Sequence, residues 1–205
     1  MSIVELNNRG VRSATTFGSI SNLGSMILIK KQTASSSSTI SFVDGTSDVV
    51  LDDTYKEYIF TFNNIHPADD NQKLQIGFRD GGSSYDATKT STVFQSLHNE
   101  GDSEAVLQYE GGLDLAQSTG AQALTTGIGN DNDQCGAGYL RLFNPSSTTF
   151  VKHYIARCQV LTNSDYSAEH YTAGYCNVTA AIDAVQFSMT SGNIDAGDIC
   201  LYGIA

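Results

Sequence analysis

Tryptophan is missing from this sequence, proline occurs twice, and only 16% of the 205 residues are charged. What charge there is leans one way: 22 Asp and Glu against 11 Lys and Arg give a formal charge of −11 and a pI near 4.5. A field of that sign repels phosphate backbones and anionic lipid, so neither nucleic acid nor a membrane surface is expected as a partner. No apolar run approaches the roughly 18–20 residues of a membrane-spanning helix, the longest obvious patch being Met26-Ile27-Leu28-Ile29. The first residues, MSIVELNNRGVRSATTFGS, lack the continuous apolar core of a secretory signal, which predicts folding in a cytoplasm.

Close metal-ligand spacing is also lacking. Cys135, Cys158, Cys176 and Cys200 are 23, 18 and 24 residues apart with no CxxC, and His66, His98, His153 and His170 form neither HxH nor HExxH. Reduced thiols packed as small apolar groups are the expectation, and no metal or other cofactor is expected.

What is abundant belongs to strands and turns. There are 23 Ser, 19 Thr, 19 Gly, 10 Tyr and 9 Phe, a mixture that suits pleated strands and punctuated turns better than helices. From Ser25 onward, short alternating or apolar runs are bounded by Gly, Asn, Asp, Ser or Pro. They are Met26–Lys31, Thr39–Val43, Glu57–Asn63, Lys73–Arg79, Thr92–Leu97, Ala105–Tyr109, Gln122–Thr125, Gly138–Asn144, Phe150–Leu161, Glu169–Val178, Ala184–Met189 and Ile199–Ile204. In Glu57–Asn63, Tyr58, Phe60 and Phe62 share one parity and Ile59 and Thr61 the other. Ala34–Ser38 reads as a hairpin connection between the first two runs, and the long run at Phe150–Leu161 predicts a bend or bulge. Ten to twelve strands without a repeat or helical periodicity predict an all-β, antiparallel two-sheet sandwich over residues 25–205, most simply a jelly roll.

Residues 1–24 read differently. Isolated apolar residues Val4, Leu6, Val11, Phe17, Ile20 and Leu23 stand among Asn, Gly, Ser and Thr. An extended arm of this kind cannot bury itself, and it reads either as an anchor laid along another protein or as a frayed terminus, the anchor being preferred.

Three constellations bear on chemistry. Gly101-Asp102-Ser103 matches the opening of a serine-esterase signature, but the residue three before His170 is Ser167 rather than Asp and the fold signal is not α/β. The loop Gly129-Asn130-Asp131-Asn132-Asp133 offers Asp131 and Asp133 as hard-oxygen ligands for calcium without the full helix-loop-helix pattern. Asn177-Val178-Thr179 is a glycosylation triplet that carries little weight without a secretory signal. Tyr85, Tyr166, Tyr171 and Tyr175 are candidate glycan contacts for a lectin-like sandwich, with the lack of Trp counting against a strong stacking platform. An acid–base hydrolase on the same scaffold is the least supported reading.

Three segments carry a resemblance: ELNNRGVRSATTFGSISNLGSM (5–26), LFNPSSTTFVKHY (142–154) and SGNIDAGDICLYGI (191–204). Together they resemble a small virion protein of marine tailed phages such as cyanophages and pelagiphages, over nearly the whole chain. The resemblance implies a structural component on the virion exterior, with a jelly-roll-like body and trimeric association, that either decorates the major capsid protein or belongs to a fibre that contacts host-surface glycan. It implies no catalysis. The sequence departs from the family in its cysteines and in Asp198, where a hydroxyl residue is more usual.

Overall fold

A computed structural model describes residues 25–205; the expected arm, with Val4, Leu6, Val11, Phe17, Ile20 and Leu23, lies outside the described residues. Twelve strands follow one another without a helix among the described residues. They are β1 (Met26–Ser37), β2 (Ile40–Val43), β3 (Glu57–Pro67), β4 (Leu74–Arg79), β5 (Lys89–Asn99), β6 (Ala105–Tyr109), β7 (Gln122–Ala123), β8 (Gly136–Phe143), β9 (Lys152–Leu161), β10 (Tyr166–Cys176), β11 (Ala184–Met189) and β12 (Ile194–Ile204). Eight form one sheet in the order β1-β12-β3-β8-β9-β10-β5-β6, and four form a second in the order β2-β11-β4-β7. Neighbouring strands run antiparallel throughout. The two-sheet sandwich expected from the alternation is therefore present; these strand orders do not by themselves establish jelly-roll connectivity.

The alternation decides which side chains meet between the sheets. In β3 the Tyr58, Phe60 and Phe62 parity turns inward, and from the facing sheet Phe187 of β11 meets Phe60 and Phe62 edge-to-face at 5.4 and 5.3 Å. Phe42 of β2 completes the cluster, 5.3 Å from Phe60. A second aromatic contact, Phe78 of β4 with Tyr154 of β9 at 5.0 Å, holds the sheets together farther along. Burying a side chain of this size is worth roughly 1.5–3 kcal/mol before its ordering cost, so these rings are the main ties between layers.

Two local expectations are corrected. Residues 34–38 are not a hairpin connection: β1 runs on to Ser37, pairs only with β12, and the chain then crosses to the other sheet, where β2 pairs with β11. Ser36, at φ 48°, lies at that crossing. Strand β9 has no bulge either; it pairs in unbroken register with both neighbours. The irregularities fall instead in β1 between Leu28 and Lys30, in the β3–β8 ladder between Phe62 and Ile65, and in the β3–β12 ladder around Ala196, where Gly197 adopts φ 120° against the backbone of Asn64 and Ile65.

Candidate interaction face

Directly opposed residues of antiparallel neighbours project from the same side of a sheet. On the side of the large sheet that faces away from the core, the ladders bring Tyr109 of β6, Phe94 of β5, Tyr171 of β10, Arg157 of β9 and Tyr139 of β8 into one row across five strands. The Phe94 and Tyr171 rings are stacked, with centroids 4.6 Å apart and planes 6° from parallel. The Arg157 guanidinium lies over Tyr171 at 5.2 Å and pairs with Glu169. That hydrogen-bonded pair raises the Arg157 pKa, lowers that of Glu169, and lifts the Tyr171 phenol through its bond to Glu169. Beside the row is an open groove of about 280 Å³, whose walls include Phe94, Tyr139, Ile155 and Tyr171.

The next row on this face runs Ala173, Ile155, Arg141, Ile59, Tyr202 and Leu28. Ile155 is 48% exposed and Leu28 50%. Among the described residues eight large hydrophobic side chains are exposed, and seven of them (Met26, Leu28, Phe94, Leu107, Tyr109, Tyr139 and Ile155) belong to this face; Phe150, in the connection before β9, is the exception.

Its charges cancel. Lys31 pairs with Asp198 at 2.7 Å, Arg141 with Glu57 at 3.1 Å, and Arg157 with Glu169. Three cations thus meet three carboxylates on the strands of this face, and at its β6 edge loop carboxylates join it, Asp114 beside Tyr109 and Asp102 beside His98. The outward side of the small sheet is of another kind: Gln75 donates to Ser188 at 3.1 Å and Gln186 to Ser41 at 2.9 Å, a polar ladder of the sort that water covers.

The residues expected to contact glycan are not gathered into one site. Tyr171 and Tyr175 project from the same side of β10, and Tyr175 lies near His153, with ring centroids 6.1 Å apart. Tyr166 begins β10 and donates to Glu104 at 2.7 Å. Tyr85 belongs to the other sheet's surroundings, under the Arg79 guanidinium at 6.0 Å and against Gly77 of β4.

The Asn/Asp loop is tied down by its own neighbours. The Asp70 carboxylate accepts from the Asn130 amide at 3.3 Å and from Asn163 Nδ2 at 3.3 Å, and Gln134 Oε1 accepts from the Asp131 amide at 3.2 Å. Asp133 lines an open cleft of about 360 Å³ with Asn64 and His66. Among the described residues no three His, Cys, Asp or Glu side chains are grouped to hold a metal ion. Ser103 caps a turn with Asn99, its amide donating to Asn99 Oδ1 at 2.9 Å. Asp198 is engaged within its own chain by Lys31 and by Thr33, which donates at 2.6 Å. The four cysteines are free thiols, three of them buried.

Sequence reasoning missed a set of polar groups on the inner side of β5, β9 and β10. Lys89, Cys176 and Lys152 are directly opposed, and both lysines are fully buried. Lys89 Nζ donates to the Gly120 carbonyl at 2.7 Å, and Lys152 Nζ to those of Val178, at 3.0 Å, and Ala180. Each lysine thus fastens a connecting loop beneath the sheet. Burial lowers both lysine pKa values and pushes the Cys176 thiol up to about 12. In the same layer His170 is 1% exposed, and neither ring nitrogen has a protein hydrogen-bond partner.

Comparison of the chain with protein-family models, curated proteins and solved structures finds no match.

Proposed function

We propose that this chain is a non-enzymatic structural protein of a tailed-phage particle. In this reading it is a capsid decoration protein, held by residues 1–24 against the major capsid protein or another virion protein, with a jelly-roll-like sandwich turned outward and copies associated as trimers. The three-segment resemblance supports the setting. The observation that carries the reading is the large sheet's outer face, where exposed apolar side chains and cancelled charges meet on one surface, as befits a component that assembles.

A fibre or receptor-binding role with glycan recognition is the second reading. Aromatic side chains beside an arginine–carboxylate pair at the 280 Å³ groove favour it. Against it, Tyr171 has Phe94 on one face and Arg157 on the other, so its ring presents an edge rather than a platform for a sugar.

Quantitative mass spectrometry of purified particles, referenced to the major capsid protein, tests the assignment. Hundreds of copies are expected for a decoration protein; a handful would move it to a fibre, and absence would overturn the virion reading. Removing residues 1–24 is expected to abolish attachment while the sandwich stays folded.

A further inference from the structure

We infer that the outer face of the eight-stranded sheet is where two copies of this chain meet. The inference rests on the reading of the chain as an assembling virion component and names its partner, a second copy of itself.

Charge selects that partner. Two molecules carrying −11 each repel over most of their surfaces. The outer face is different: on its strands three cations are each matched by a carboxylate, so its central rows bring no net charge to a contact with themselves, and the further carboxylates Asp114 beside Tyr109 and Asp102 beside His98 stand in loops at its β6 edge. A two-fold contact places one patch against its own copy and therefore requires a patch that does not repel itself; such a contact joins copies of different trimers, not copies within one. A basic partner would instead be drawn to the acidic remainder of the molecule.

Side-chain chemistry agrees. Sheets exposed to water carry polar outward positions, as the small sheet does with Ser41, Gln75, Gln186 and Ser188. The large sheet presents Phe94, Tyr139, Ile155 and Leu28 at the corresponding positions. Stacking of Phe94, Tyr171 and Arg157 fixes their side chains before any contact is made, which reduces the ordering cost of association. The groove beside Ile155 supplies relief for a facing side chain to fill.

Size agrees as well. Eight strands spaced about 4.8 Å apart make a face about 34 Å wide; seven of them have eight to twelve residues and β6 has five, so a length of about 20 Å is common to most of it, roughly 700 Å² in projection. A standard specific interface takes about 800 Å² from each partner.

The test uses the full chain in isolation, without particles. Sedimentation analysis over a wide concentration range is expected to show reversible self-association of the wild type. Ile155→Asp is expected to weaken it by roughly thirtyfold or more, as loss of a central contact does. Phe150→Asp, at the exposed apolar residue outside the face, is expected to associate like the wild type. Hydroxyl-radical footprinting of the unmodified protein provides a readout that does not depend on a variant's folding: Phe94, Tyr139 and Ile155 become protected as concentration rises while Phe150 does not. A wild type that stays monomeric throughout, unchanged association in folded Ile155→Asp, or equal footprints at both ends of the range overturns the inference. None of these outcomes alters the copy number in virions, so a failure of this inference and a failure of the virion assignment are told apart.

Discussion

Phe94 and Tyr171 are directly opposed across the β5–β10 ladder and stack 4.6 Å apart, while Arg157 closes the other side of Tyr171 at 5.2 Å. The tyrosine is thus one layer of a three-part stack on an outward surface. Replacing either aromatic by Ala removes the same contact, so the double substitution is expected to cost less stability than the two single losses added together. A urea double-mutant cycle checks this; additive losses would mean that the stack contributes nothing as a unit.

Acidification should weaken the fold through His170. Burial, assisted by the positive charge of Lys73, holds its folded-state pKa at about 4, below the ordinary 6.5. The unfolded chain takes up the proton first. The stability that His170 confers is therefore complete above pH 6.5, declines as pH falls, and is gone below about pH 4, a loss on the order of 3 kcal/mol. Denaturation curves taken across that window should show a smaller decline for His170→Gln than for the wild type.

Lys152→Met keeps the length of the side chain and removes its donors. The carbonyls of Val178 and Ala180 then lose their partner beneath β9. Val178 is half-buried and Ala180 exposed, so water can replace part of what the two carbonyls lose and the cost is expected near the lower end of about 1–3 kcal/mol; thermal denaturation should move to lower temperature, with residues 177–182 exchanging amide hydrogens faster. An unchanged exchange pattern would show that the lysine does not fasten this loop.

Gly174 leaves room for Tyr154. A Cβ at this position would stand 2.5 Å from the Tyr154 hydroxyl and 2.7 Å from the Thr90 carbonyl oxygen. Gly174→Ala is expected to destabilise by roughly 1–3 kcal/mol through overpacking. Adding Tyr154→Phe, which removes the nearer atom, should recover part of that loss in equilibrium unfolding.

Residue parity was the legible part of this fold. Tyr58, Phe60 and Phe62 declare one buried side in any alternating strand, and the inward turn of all three follows from it. The extent of β6, Ala105–Tyr109, could likewise be read from its run of residues. Pairing could not: β1 and β2 are adjacent in sequence and lie in different sheets because their partners, β12 and β11, come more than a hundred residues later. The interaction face is hidden for the same reason. Tyr171 could be singled out as an exposed aromatic, but Phe94, Arg157 and Tyr139 become its neighbours only through three ladders that no local pattern encodes. The available hint was apolar residues on both parities, as in Tyr154-Ile155-Ala156. The buried lysines gave none, since a single Lys among strand residues looks like surface.

The position of β11 and β12 also sets an order of events. In the small sheet β11 lies between β2 and β4, and in the large sheet β12 lies between β1 and β3, so the first four strands have no ladder with one another. Of these, β3 and β4 also have earlier partners in β8 and β7, whereas β1 and β2 form ladders only with β12 and β11 and must wait for those strands to leave the ribosome. Until then the edges of β1 and β2 are open to any other chain in the same condition, and that interval of synthesis is when a chaperone has most to protect.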